Sequence, residues 1–195
     1  NAGDDRWFLQ IETFDPHEPF FTQKHYQDLY REEIGSRDET PLFDWPGYRP
    51  WPEDYPPHLE KQLRAHYKAL VTMCDTYLGK VLDAMDRHQL WDDTMLIVCT
   101  DHGFLLGEHR LLGKSQTPYY NEIAHTPFFV WDPRSRKAGE RRSALVQPSL
   151  DIVPTVLDFF GLEPTPDMTA KNLRGVIEHD APVRDFAIFG GHGNY

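Results

Sequence analysis

Cysteine is scarce: Cys74 and Cys99 are the only two in 195 residues. Two are too few for a disulfide framework, and no Cys-x-x-Cys spacing occurs. Both lie in apolar patterns and read as buried free thiols rather than ligands or nucleophiles. Basic charge is also short, with 20 Lys and Arg against 31 Asp and Glu and a formal net charge of -11. Without a Lys/Arg run, a nucleic acid or anionic membrane held by a basic surface is excluded as partner. Any anionic substrate has to meet a local cluster of cations instead. No apolar run approaches the roughly 18 residues of a membrane helix, and no basic-then-apolar leader opens the chain. His-Glu-x-x-His, Gly-x-Ser-x-Gly and Gly-x-Gly-x-x-Gly are missing, and no internal repeat is found.

What is there, 39% hydrophobic and 26% charged residues, suits one globular domain with an ordinary core. Asn1 and Ala2, before Gly3, read as the remnant of an expression tag, so the native start and any targeting signal are expected to have been removed. Trp7 to Thr13 (WFLQIET) predicts a buried strand stopped by Asp15-Pro16-His17-Glu18-Pro19, which sets His17 just past a strand end. Residues 41–57, with six prolines and five aromatics, predict an extended loop insertion on the surface.

From Leu59, apolar residues at 63, 67, 70, 71, 74, 78, 81, 82 and 85 recur at three and four. That is the period of a long amphipathic helix, expected to cover one face of a sheet. Thr94 to Thr100 (TMLIVCT) is apolar throughout its centre, as a central parallel strand covered on both faces would be. Pro127 to Trp131 predicts another strand, Leu150 to Phe160 a helix closed by Gly161, and Phe186 to Phe189 a last strand. The alternation means α/β.

Ligands in α/β sheets collect beyond the carboxyl ends of strands, where Asp101-His102 and His17 are expected. A carboxylate beside an imidazole suits manganese, magnesium or zinc better than calcium, and two ligands alone bind weakly. Downstream, Gly107, Gly113 and Lys114 form a glycine-punctuated loop ending in a cation able to bind an anionic group. It is no nucleotide P-loop. Glu108 stands where the leading glycine belongs, and Pro118 would break the helix that has to follow.

The stretch TDHGFLLGEHRLLGK (Thr100 to Lys114) resembles the sulfatase segment in which an Asp followed by His or Asn ligates the metal and a later lysine binds sulfate. FDPHEPF (Phe14 to Phe20) is similar to that family's Pro-His-x-Pro loop, whose histidine contacts the same sulfate. The long helix and QPSLDIVPTVLDFFGLEPTP (Gln147 to Pro166) also resemble sulfatases, in the family's order.

The resemblance implies a partial alkaline-phosphatase-like three-layer α/β/α sandwich with a mostly parallel central sheet. Residues 3–195 would be the middle-to-C-terminal part of the catalytic domain. It also implies hydrolysis of small-molecule or carbohydrate sulfate esters at a divalent metal, calcium or manganese/magnesium. Asp101 and His102 would be metal ligands, and His17 and Lys114 catalytic and substrate-binding residues, all four converging in one pocket. The family's formylglycine, made from a Cys/Ser-x-Pro-x-Arg motif, is expected upstream in a missing N-terminal half. Neither Cys74 nor Cys99 has Pro two residues later, so neither is that nucleophile. With half a site, the chain alone is expected to be inactive and to bind metal feebly. Two other readings stand beside this one: a phosphonate or phosphate ester hydrolase of the same superfamily, and a catalytically dead module that binds a sulfated ligand.

Overall fold

A computed structural model describes residues 6–34, 47–54, 56–114 and 118–190. The reading of Asn1 and Ala2, and residues 41–46 and 55 of the proline-rich loop at 41–57, therefore lie outside the described residues. The chain divides into two compact units, one of residues 1–46 and 52–82, the other of 47–51 and 83–195.

In the first unit, helices α1 (Lys24–Asp28) and α2 (Arg31–Ile34) accompany the first part of α3 (Pro57–Arg87). Leu63, Ala65, Ala69 and Leu70 of α3 are buried with Phe20 and Tyr26, the three-four spacing bringing one stripe inward. The Phe20 ring meets Tyr67 edge-on at 5.2 Å, and Tyr30 shares a 2.8 Å hydrogen bond with Thr72 of α3. The predicted helix at 59–85 is thus present, longer by two residues at each end.

The second unit holds the strands. β2 (Leu96–Cys99) pairs with β5 (Phe128–Trp131) in register Leu96↔Trp131 to Cys99↔Phe128. β3 (Leu105–Leu106) and β1 (Arg49–Pro50) flank β4 (Leu111–Gly113) in the order β1-β4-β3. Every one of these described pairings is antiparallel. The covered parallel strand expected at 94–100 is corrected accordingly: among the described residues β2 has one neighbour, and Phe129 opposite it is 65% exposed. Cys99 is exposed for the same reason, and Cys74 of α3 is only half-buried, so the two are not the buried thiols expected.

Short α4 (Asn121–Ala124) precedes β5, and α5 (Pro148–Phe159) and α6 (Arg174–His179) follow it. Gly161, at φ +70°, closes α5 as its sequence predicts, with the Leu162 N–H returning to the Leu157 carbonyl. Leu173, Val176 and Ile177 form a core with Phe128 and Val130 of β5. Buried Asp151 of α5 accepts the Gln147 and Lys171 N–H groups, each at 2.8 Å, and pairs with Arg184. Those bonds tie α5 to the chain that follows.

Two expected strands are absent. Residues 7–13 and 186–189 make no ladder, and Trp7, Phe8, Leu9, Ile11, Phe186, Ile188 and Phe189 are exposed. Their apolar composition matches a strand, but a strand forms only against a partner, and the described residues offer none. His17 consequently sits in an irregular loop rather than past a strand end.

Candidate metal and anion site

Asp101 follows β2 after Thr100, and its side chain is 82% exposed. One carboxylate oxygen, Oδ1, accepts the His102 N–H at 2.8 Å and the Thr100 hydroxyl at 3.4 Å. Oδ2 lies 3.6 Å from His102 Nε2. The imidazole is oriented from behind, for Nδ1 lies 2.9 Å from the Gly103 carbonyl and donates to it in the neutral ring. Nε2 then carries a lone pair beside a carboxylate oxygen. Two such donors on one side of a turn, with the histidine fixed by its other nitrogen, are a chelating arrangement for a divalent cation. Burial works to raise the Asp101 carboxyl. The His102 N–H, the neighbouring imidazole and the Thr100 hydroxyl outweigh it and hold the group below its ordinary value. The ionised form that a metal needs is favoured. Among the described residues no third carboxylate, thiol or imidazole completes a cluster; the pair has the donor chemistry of part of a metal site and would supply two of its ligands.

Gly103 explains how the turn is seated. Its N–H donates to the Ile123 carbonyl at 2.8 Å, and a Cβ there would stand 1.9 Å from the Glu122 carbonyl oxygen. Only glycine allows the turn to lie so close to α4. Beyond Phe104 the chain enters the β3-β4 hairpin, in which Leu105 pairs with Gly113 and Leu106 with Leu112. One step further in that register sets Lys114 across from Phe104. The half-buried lysine thus leaves the hairpin at the end where the Asp101-His102-Gly103 turn enters it. Gly113, at φ +114°, is packed under Tyr48, whose ring carbon would lie 2.7 Å from an added Cβ.

His17 belongs to the first unit. Its Nδ1 lies 2.8 Å from the Glu18 carbonyl and 3.2 Å from the Glu18 carboxylate, and the Phe14 ring is 4.4 Å away. Downstream the loop is anchored by Phe20, 1% exposed.

Sequence reasoning did not find Tyr120 or Glu122, which meet His109. His109 Nε2 lies 3.2 Å from both Glu122 carboxylate oxygens, and its ring stacks on Tyr120 at 3.6 Å and 7°. No spacing rule links a hairpin tip to a later four-residue helix; the glycine after His102 was the one local signal of a close approach.

The α/β architecture thus presents a carboxylate-imidazole pair after β2 and a lysine at the end of the adjoining hairpin. The family model described as sulfatase matches residues 1–162, and the chain belongs to that family. The multifunctional alkaline phosphatase superfamily protein PehA of Trinickia caryophylli is 30% identical over 181 residues, 80% of this chain and 34% of that protein. BT4656, solved in complex with its substrate D-glucosamine-2-N,6-O-disulfate, superposes with TM-score 0.58 at 30% identity, covering 65% of this chain and 25% of its own. Phosphonate monoester hydrolase SpPMH from Silicibacter pomeroyi gives 0.59 at 33% identity, over 64% of this chain and 24% of its own. The fold is the alkaline-phosphatase-like α/β fold of the solved sulfatases, represented in part: this chain spans about a third or less of each of these proteins.

Proposed function

We propose that the protein containing this chain is a metal-dependent sulfate ester hydrolase acting on small-molecule or carbohydrate sulfates. The observation that carries the reading is the 100–114 segment. A metal-donor pair and a lysine stand at one end of one hairpin, in a chain of the sulfatase family. Asp101 and His102 would hold the divalent metal, calcium or manganese/magnesium, which when bound polarises a sulfate oxygen and neutralises charge. Lys114 would take the anionic group, and its cation would offset charge building on the leaving oxygen. His17, its Nδ1 turned to Glu18, would keep Nε2 for an anionic group. The nucleophile, a formylglycine in this reading, comes from outside these residues. BT4656 and its disulfated glucosamine support a sulfated sugar as substrate.

The likeness to phosphonate monoester hydrolase at 33% identity keeps a second reading, phosphonate or phosphate ester cleavage. Aryl sulfate, aryl phosphonate and aryl phosphate should be assayed side by side on the full-length protein. The sulfate ester is expected to have the highest kcat/KM. A preference for the phosphonate or phosphate by tenfold or so would select the second reading. Sulfated-sugar binding with no turnover of any of the three would select a catalytically dead binding module.

A further inference from the structure

We propose that Glu122 is a positioning residue: its main chain seats the Asp101-His102-Gly103 turn while its carboxylate clamps the hairpin that ends in Lys114. The inference rests on the reading of Lys114 as the sulfate-binding cation. One residue of α4 touches both halves of the site. Its carbonyl oxygen fills the space where a Gly103 side chain would begin, and the next carbonyl, of Ile123, accepts the Gly103 N–H. Its carboxylate meets His109 Nε2 with both oxygens at 3.2 Å, and Tyr120, two residues earlier, stacks flat on the same imidazole.

The hairpin tip has need of an outside hold. Gly107, His109 and Arg110 all have positive φ, at 104°, 55° and 57°. For the two non-glycine residues that conformation costs roughly 1–2 kcal/mol each, and the tip keeps it against a partner elsewhere in the chain. Through β4 the tip leads in four residues to Lys114. The Glu122 carboxyl is held below its ordinary value, by its own main-chain N–H first and, against the opposing effect of burial, by His109. It is therefore charged at neutral pH and attracts a protonated or Nε2–H imidazole. Release of this clamp leaves the tip to the Trp51 N–H on the Arg110 carbonyl at 2.7 Å and the hairpin's own bonds, and Lys114 would be placed less firmly beside the turn bearing the metal donors.

The test is inorganic sulfate titrated into the full-length protein, followed by calorimetry and by NMR of the His109 ring, whose resonances carry a ring-current shift from Tyr120. Glu122→Ala should erase that shift and weaken sulfate by about tenfold, the loss of one charge-assisted contact's worth of positioning. His109→Asn, which opens the clamp from the other side, should weaken sulfate similarly, whereas Glu122→Gln, still an acceptor, should stay within about threefold of the unaltered protein. In a Lys114→Ala background, Glu122→Ala should add nothing, because its effect passes through Lys114. A merely structural clamp gives additive losses instead, and that result overturns the proposal. Unchanged sulfate affinity in both Glu122→Ala and His109→Asn overturns it too. If the unaltered protein does not bind sulfate, the reading of Lys114 fails and the inference falls with it.

Discussion

The His17 imidazole is oriented by its immediate neighbours, whereas the turn after Asp101 and His102 and the hairpin that ends in Lys114 also rest on residues of α4, further along the chain. In the first, the imidazole turns to the Glu18 carbonyl and the Phe14 ring, and Phe20 drops into the core just after it. In the second, the turn rests on the Ile123 and Glu122 carbonyls and the hairpin tip on the Glu122 carboxylate. A local hold orients one ring. A distant hold brings several groups into mutual register, and it is lost when either end is altered.

The sharpest contrast is in turnover. In the full-length protein Lys114→Ala should cost about 3 kcal/mol or more of transition-state stabilisation, at least a hundredfold in kcat/KM. His109→Ala, acting only through position, should cost about tenfold. Steady-state kinetics with an aryl sulfate decide it, and equal losses would remove Lys114 from the catalytic residues.

Next comes the seat of the turn. Gly103→Ala drives a methyl group into the Glu122 carbonyl, and a stability loss of about 1–3 kcal/mol is expected from the forced backbone shift. Gly79, inside α3 with open space around it, is the control: Gly79→Ala should stabilise by about 0.5–1 kcal/mol. Thermal unfolding of the two variants should move in opposite directions.

In the other loop Glu18→Gln should be nearly silent, because His17 keeps the main-chain carbonyl and the ion pair is partly exposed. A loss under about 0.5 kcal/mol is expected, a factor of two or so in kcat/KM. A large loss would mean that the Glu18 charge, not the local geometry, sets the His17 orientation.

The smallest effect is a pH slope from His66 of α3, 9% exposed. Burial pushes its imidazole below the ordinary 6.5. Since the unfolded chain takes the proton more readily, the stability this group contributes is complete above pH 6.5 or so and is lost as pH falls through the lower folded value. Denaturant unfolding between pH 8 and 5 should show the decline, and His66→Gln should flatten it.

Helices were legible in the sequence because their signal is internal. The period from Leu63 to Met85 gave α3, and the run Leu150 to Phe160 closed by Gly161 gave α5, which begins two residues earlier at Pro148. Strands depend on a partner that composition does not name. Phe128 to Trp131 has β2 beside it and forms a ladder, while the equally apolar WFLQIET has no partner among the described residues and stays irregular. The direction of pairing was likewise invisible, for LIVC looks the same in a parallel or an antiparallel sheet. In the site, Asp101, His102, Lys114 and His17 could be named because each lies inside a contiguous motif. Glu122 and Tyr120 could not, since their roles come from a fold that returns α4 to the hairpin tip. The resemblance proposes which residues do chemistry, and the structure adds which residues hold them.

The most direct test of a metal-bearing sulfatase site at Asp101 and His102 is one measurement made on two proteins. Metal-stripped full-length protein and its Asp101→Ala variant should be titrated calorimetrically with manganese, and each sample then assayed with an aryl sulfate. The account predicts turnover that returns as the metal binds, with affinity lowered by about tenfold or more and turnover abolished in the variant. Equal metal affinity and equal turnover in the two proteins would contradict it.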